Sequence, residues 1–460
     1  MISGTALLLL IALAILFVVA ASSIGKLHPF LALVLAALGL GFAVGMPADK
    51  ILDTLTSGFG SITASIGLII VFGTIIGVAL EESGAAGRIA QSLVRVFGAR
   101  RIVLAMSSVG GFVGIPVFCD SGFIILSKLA RDLAAQTGKS AVSISVAMAG
   151  GLYTTHVLVP PTPGPLAAAA NYGAESYLGQ VILVGLLLSV PGVLTGYWWA
   201  VRSGRKYGQG RPAKEEGRAG MDGHAPGTGG HAPEPAAAGR PSLLLSLLPL
   251  LLPVLLIAGG SVAALLSAPG WLLFICKPVV ALLIGVFASF FLFKKREGIT
   301  LDDWIGKALS QAGPIILITA AGGAFGAVLK ATPLNLMFES WIQGQNVSGI
   351  WLLPMVFLLA AGLKTSQGSS TAAIIITSSL VAPFLPALNF TGGLELGILV
   401  SVTGAGSMVV SHTNDSYFWV VSRFSGMSMP QTLRTFTMST LLQGIAILIS
   451  AIILLALFPG

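Results

Sequence analysis

Residues 154–165 read Thr154-Thr155-His156-Val157-Leu158-Val159-Pro160-Pro161-Thr162-Pro163-Gly164-Pro165. Four prolines in six residues cannot continue a helix. Each lacks a backbone N–H, and its ring crowds the turn before it. The run nevertheless lies within 140–171, which begins as a good apolar helix. The chain therefore opens into an extended segment with carbonyls free to meet ions, water or hydroxyls. Irregular backbone at membrane depth is tolerated only inside protein or against water. His156 suits a proton relay near neutral pH. A buried histidine bonded to a carbonyl reads equally well.

Composition supplies the membrane. The 460 residues are 55% hydrophobic and 9% charged, with mean hydropathy +0.93. Soluble domains carry about 25% charged residues. So little charge cannot coat a soluble surface, which excludes a soluble enzyme, a disordered chain and a nucleic-acid reader. The net charge of +8 fits the gathering of Lys and Arg in cytoplasmic loops. Cys119 and Cys276 offer neither a disulfide framework nor a zinc spacing. No Gly-x-Ser-x-Gly, His-Glu-x-x-His or Walker-type loop occurs, so neither an enzyme, a metal, a cofactor nor direct ATP drive is expected. The apolar stretch from Thr5 to Ala21 has no cationic region before it and reads as a retained helix.

A helix crosses the roughly 30 Å hydrocarbon core with about 20 apolar residues. Residues 4–22, 27–46, 61–81, 177–201, 242–267, 271–293, 313–330 and 431–458 meet that need. The stretches 101–137 and 348–388 are apolar but interrupted at their centres. The segments 140–171 and 393–422 begin as helices and run into polar or Pro-rich sequence. Residues 202–241 hold Arg202, Arg205, Lys206, Arg211, Lys214, Arg218 and Arg240 among Gly, Pro and Ala. They read as a flexible cytoplasmic linker. Lys294-Lys295-Arg296 and the group Arg88, Arg95, Arg100 and Arg101 then fall on the same side. Lys128, Arg131 and Lys139 join them only if 101–137 is a re-entrant hairpin. The same logic makes 348–388 a hairpin entering from outside, and leaves both termini outside.

The halves share one plan. The first, 1–201, has scaffold helices 4–46, hairpin 101–137 and broken helix 140–171. The second, 242–460, has scaffold helices 242–293, hairpin 348–388 and broken helix 393–422. Each carries an acidic turn (Asp49; Asp302-Asp303) and a Gly-rich helix. The pairs Gly73/Gly77 and Gly322/Gly326 have the small-xxx-small spacing of close helix contact. Five crossings per half is an odd number, so the second half enters the bilayer inverted, a transporter signature. The expected fold is an all-α polytopic membrane protein of two inverted repeats. Each has five transmembrane helices and one re-entrant hairpin, with broken helices at the substrate site.

Three further polar interruptions match the proline run. The first tip is Gly114-Ile115-Pro116-Val117-Phe118-Cys119-Asp120-Ser121-Gly122-Phe123. A carboxylate near mid-membrane is costly unless protonated, paired or solvated, which suits Asp120 to proton transfer. Capping the helix that starts at Ser121 is the plainer role. The second tip, Lys364-Thr365-Ser366-Gln367-Gly368-Ser369-Ser370-Thr371, joins hydroxyls to one cation. A helix start there favours an anion, and Lys364 either pairs with a substrate carboxylate or snorkels to the surface. The last is Ser411-His412-Thr413-Asn414-Asp415-Ser416. It offers donors and acceptors to a polyhydroxy ligand, and Asp415 with His412 forms a candidate proton-linked pair.

These runs, together with Phe418-Trp419 and the stretch from Gly73 through Glu82-Ser83-Gly84 to Arg88-Ile89-Ala90, resemble the gluconate permease family over nearly the whole chain outside 202–241. The resemblance implies a member of the ion-transporter superfamily in a bacterial inner membrane. It implies import of gluconate or a related sugar acid with protons, and a homodimer of scaffold and moving transport units in the elevator manner. Some members carry D-serine or other small hydroxylated acids, glycerate-like ones included, and related families couple to sodium. The family pattern of an acid at 120 and a cation at 364 is met. Some gluconate-type members have Glu and Arg there, and a His where this chain has Thr162. The expected proton-coupling residues are Asp120, His156, His412 and Asp415. Ser121, Gly122, Thr155, Lys364, Gln367, Gly368, Ser369, Ser370, Thr371, Thr413 and Asn414 are expected at the substrate, with Pro160, Pro161, Pro163 and Gly164 as the backbone hinge.

Overall fold

The computed structural model describes residues 4–23, 25–207, 241–265, 268–293, 301–332, 349–388 and 390–458. Most of the expected linker and the Lys294-Lys295-Arg296 cluster lie outside these residues. The described residues are helical throughout, without a strand. The first half runs α1 (Gly4–Ser23), α2 (Pro29–Ala43), α3 (Ala48–Glu82), α4 (Ala85–Phe97), α5 (Ile102–Val113), α6 (Cys119–Thr137), α7 (Ala141–Leu158), α8 (Pro163–Asn171) and α9 (Leu178–Tyr207). The second runs α10 (Leu243–Leu265), α11 (Gly270–Ile275), α12 (Pro278–Phe290), α13 (Leu301–Lys330), α14 (Leu352–Gln367), α15 (Ser370–Val381), α16 (Gly393–Met408), α17 (Ser416–Ser425), α18 (Met429–Thr432) and α19 (Met438–Leu457). Seven helical segments among the described residues are long and apolar enough to cross a membrane. The protein is an all-α polytopic membrane protein.

Side-chain placement follows from the bilayer. On α9, Leu183, Leu187, Val190 and Leu194 are exposed along one stripe. Val181, Val184 and Leu188 are buried on the other side. Apolar residues on both faces are what lipid on one side and protein on the other require. Helices α7 and α16 are buried nearly all round. These central helices are the two that break.

Two elements differ from the sequence expectation. The spans expected at 61–81 and 313–330 are the later parts of longer helices, α3 and α13, which begin at Ala48 and Leu301. Nothing between Asp49 and Glu82 stops α3, which reaches about 50 Å at 1.5 Å per residue. Segment 271–293 is instead interrupted at Cys276-Lys277, and Pro278 opens α12 as its first residue. Proline is welcome there because that N–H has no intrahelical acceptor.

Packing positions the breaks. Helix α3 lies along α13, and each also contacts pieces of the site-bearing unit: α3 touches α8, and α13 touches α15. A side chain at Gly77 would strike the Pro116 carbonyl oxygen, and one at Gly73 would come 2.9 Å from that of Pro161. Both glycines therefore let α3 back directly onto the first tip and the first break. The halves also interlock reciprocally. Helix α6, after the first tip, packs on α17, after the second break. Helix α15, after the second tip, packs on α8, after the first break.

Candidate functional site

Each interruption has a local cause. Helix α5 ends where Gly114 and Pro116 stop it, and α6 restarts at Cys119 with Asp120 in its first turn. Helix α14 ends at Gly368, whose φ of +81° is left-handed. Ser369 then caps α15 by accepting from the Ala372 N–H at 3.2 Å. Helix α7 runs to Leu158, residues 159–162 are extended or turned, and α8 begins at Pro163. Helix α16 gives way after Met408, and Asp415 caps α17 by accepting from the Tyr417 N–H at 3.1 Å.

The two tips, the end of α7 and the second break enclose a cavity of about 270 Å³. Its walls include Asp120 and Cys119 from the first tip and Tyr153 and His156 from α7. Gln367, Gly368, Ser369, Ser370 and Thr371 come from the second tip, and Asn414, Asp415, Ser416 and Tyr417 from the second break. Phe118 closes one side, its ring 5.6 Å from that of His156. Wall atoms buried without a hydrogen-bond partner among the described residues include His156 Nδ1 and Gln367 Oε1. Buried polar groups are nearly always paired, so a polar guest is the natural complement.

Charge is concentrated at one point. Lys364 is 1% exposed and Asp415 3%. Their Nζ and Oδ2 atoms lie 2.6 Å apart. The ammonium also donates to the Gly368 carbonyl at 2.7 Å and stands 5.5 Å from the Tyr153 ring centroid. Ser411 Oγ donates to Asp415 Oδ2 at 2.5 Å. Lys364 thus reaches the cavity through Asp415 rather than snorkelling to the surface. Asp120, half-buried, accepts from Ser416 Oγ at 3.4 Å.

Three helix N-termini converge here, and such ends favour anions. Those of α6 and α17 already carry Asp120 and Asp415. That of α15 carries only the neutral cap Ser369, leaving its end uncompensated.

The remaining expected residues lie outside the cavity wall. His412 Nε2 contacts the Thr365 carbonyl oxygen at 3.0 Å, and the wall residue Asn414 donates from Nδ2 to the same oxygen at 2.6 Å, tying the second break to the second tip. The Thr413 carbonyl accepts from Trp419 Nε1. Thr155 is buried against Gly114. Ser121 turns towards Glu81, and Gly122 packs on Leu152. Pro160 and Pro161, joined by a cis peptide, border a separate small apolar cleft with Ile76 and Leu250. Pro163 opens α8, and Gly164 faces Ile374.

Sequence reasoning missed Tyr153 and Tyr417 as members of the site. Tyr153 was discoverable, since it stands one turn before His156 on the same helix face. Tyr417 continues the polar run into α17.

Comparison with known proteins agrees with this architecture. Residues 6–458 match the model of the GntP family of permeases. The inner membrane permease YgbN of Escherichia coli is 33% identical over 91% of this chain and 92% of its own. A gluconate permease of Pseudomonas aeruginosa is 32% identical, over 94% of each chain. The solved YdaH transporter of Alcanivorax borkumensis shares the fold at 16% identity, with a TM-score of 0.65 over 94% of this chain and 99% of that one. With a family match across nearly its whole length and a helix-tip cavity of this kind, the chain belongs to the GntP family of permeases and is a transporter, not an enzyme.

Proposed function

We propose that the protein is a secondary transporter of the bacterial inner membrane that imports gluconate or a closely related hydroxylated carboxylate together with a proton. The observation that carries this reading is the charge inventory of the cavity. Two carboxylates, Asp120 and Asp415, face one ammonium, Lys364. The ammonium is already matched by Asp415. A substrate carboxylate would be the third negative group against one cation. Buried like charges are strongly disfavoured, so the anion enters only if a proton enters with it. Asp120 is the first carrier, since no cation holds it within ion-pair distance among the described residues. His156, Asp415 and His412 stand behind it.

In this reading the substrate carboxylate docks at the N-terminus of α15, against Ser369, Ser370 and Thr371. Lys364, bonded to the Gly368 carbonyl beside that helix end, attracts the carboxylate while keeping its pair with Asp415. Gln367, Asn414 and His156 receive substrate hydroxyls. About 270 Å³ is enough for a six-carbon acid. Names of relatives support the substrate class: one is a gluconate permease.

The two halves act as inverted repeats. Residues 4–46 and 242–293 form the scaffold and the homodimer face. The two hairpins and two broken helices form the moving unit, in an elevator motion along α3 and α13. The linker around 202–241 lies in the cytoplasm and both termini outside.

Substrate identity is tested by counterflow. Proteoliposomes loaded with unlabelled gluconate should trap external labelled gluconate. External L-idonate, glycerate or D-serine should each be scored by how far it suppresses that trapping. No counterflow with any hydroxylated acid would overturn the substrate class.

A further inference from the structure

A second basin, of about 1100 Å³, opens at the opposite ends of the helices that build the cavity. Helices α6 and α17 start at the cavity and end at the basin, whereas α7 starts at the basin and ends at the cavity. Asp120 and Arg131 share α6, and Ser416 and Arg423 share α17. At 1.5 Å per residue these pairs are roughly 16 and 10 Å apart along their axes. The basin is therefore a separate place from the transport cavity.

Its lining is one-sided in charge. Arg100, Arg101, Arg131, Lys139, Arg205 and Arg423 contribute, and no Asp or Glu does. All six are exposed. None has a carboxylate within ion-pair distance among the described residues. Arg131 is held in place by donating to the Phe424 carbonyl at 2.8 Å. The floor is apolar, with Leu104, Val142 and Val201. Tyr197 borders it, and the adjoining Trp198 is exposed on α9. Aromatic side chains of this kind collect at the headgroup level of a bilayer. A cationic rim over an apolar floor at that level matches a molecule with anionic phosphate above and hydrocarbon below.

We propose that this basin binds the phosphate headgroup of an anionic membrane phospholipid. A fully solvated anion has no use for the apolar floor, and six cations exceed what one phosphate engages. A lipid carrying two phosphates, of the cardiolipin type, suits the site best. Basic pockets between transmembrane helices are known to take such headgroups. A bound lipid ties together the ends of α6, α7, α9 and α17 at the edge of the transport unit.

The test uses the full chain in detergent, with phosphatidylethanolamine as the neutral background. Added cardiolipin should be retained in native mass spectra and should raise the melting temperature. Inorganic phosphate at equal phosphorus concentration should do neither. The triple variant Arg101→Gln/Arg205→Gln/Arg423→Gln should lose cardiolipin retention at least tenfold, while melting like the parent in phosphatidylethanolamine alone. If it melts early there, Arg205→Gln alone carries the comparison, with a loss of at least threefold. Unchanged retention by the variant, or equal stabilisation by phosphatidylethanolamine, overturns the proposal. Equal stabilisation by inorganic phosphate assigns the basin to a soluble anion and overturns the lipid.

Discussion

Lys364 and Asp415 stand in the second half on separate elements, the end of α14 and the second helix break. Buried together, they cost desolvation that only close geometry returns. Breaking such a pair from one side typically costs about 3–5 kcal/mol, because the other charge stays buried alone. Lys364→Met is therefore expected to lower the melting temperature sharply and to stop transport. The double variant Lys364→Met/Asp415→Leu should regain most of the melting temperature and none of the transport, which thermal scans and uptake on the same preparations will show. Asp120 is different in kind. Among the described residues its side-chain hydrogen-bond partners are Ser416 and the Cys119 thiol, so Asp120→Asn should fold normally. That variant is expected to lose proton-driven accumulation while keeping exchange of labelled for unlabelled substrate. Full accumulation by it would remove Asp120 from the coupling. Much of this was legible beforehand: a carboxylate, a cation and a hydroxyl cluster inside apolar sequence announce themselves. The partner of Lys364 was not, because the contact depends on how Asp415 folds back at the second break. Ser411, which completes Asp415, also looked like one more polar residue in a run.

At the scale of elements, the site is made of interruptions. The proline run required one within 154–165; the structure has it at 159–162, with Pro163 and Pro165 already in the first turn of α8. Gly368 is a sharper case. Its φ is +81°, and a β-carbon would overlap the Asn414 carbonyl oxygen. Gly368→Ala faces roughly 1–2 kcal/mol of backbone strain and displacement of the second break. It is expected to abolish counterflow more completely than it reduces the melting temperature. Gly77→Leu should act likewise on the first tip, by pushing α3 off the Pro116 carbonyl. The Gly73/Gly77 spacing pointed to close packing without saying against what. Sequence could not show it, since the partners are carbonyl oxygens of a tip and a break rather than another helix face. Nor did the apolar spans at 61–81 and 313–330 reveal that α3 and α13 begin well before them.

Over the whole molecule, the order of elements recurs in the two halves, and they interlock through α6 with α17 and α15 with α8. In the proposed elevator motion, that reciprocity joins parts of both halves into one unit that moves against α3 and α13. Glu81 near the end of α3 faces Ser121 beside the cavity. It is also 3.5 Å from Lys307 of α13. A disulfide between Glu81→Cys and Ser121→Cys is expected to arrest uptake, with recovery on reduction. Uptake unaffected by that cross-link would argue against relative motion of α3 and α6. Composition alone placed the chain in a membrane, because 9% charge leaves no alternative.

The most direct measurement is uptake of labelled gluconate into proteoliposomes with an imposed inward proton gradient and no sodium. Internal label should rise above the external concentration, and should collapse to equilibrium when a protonophore is added. Accumulation that needs sodium and ignores the proton gradient would contradict the charge argument on which the transport mechanism rests.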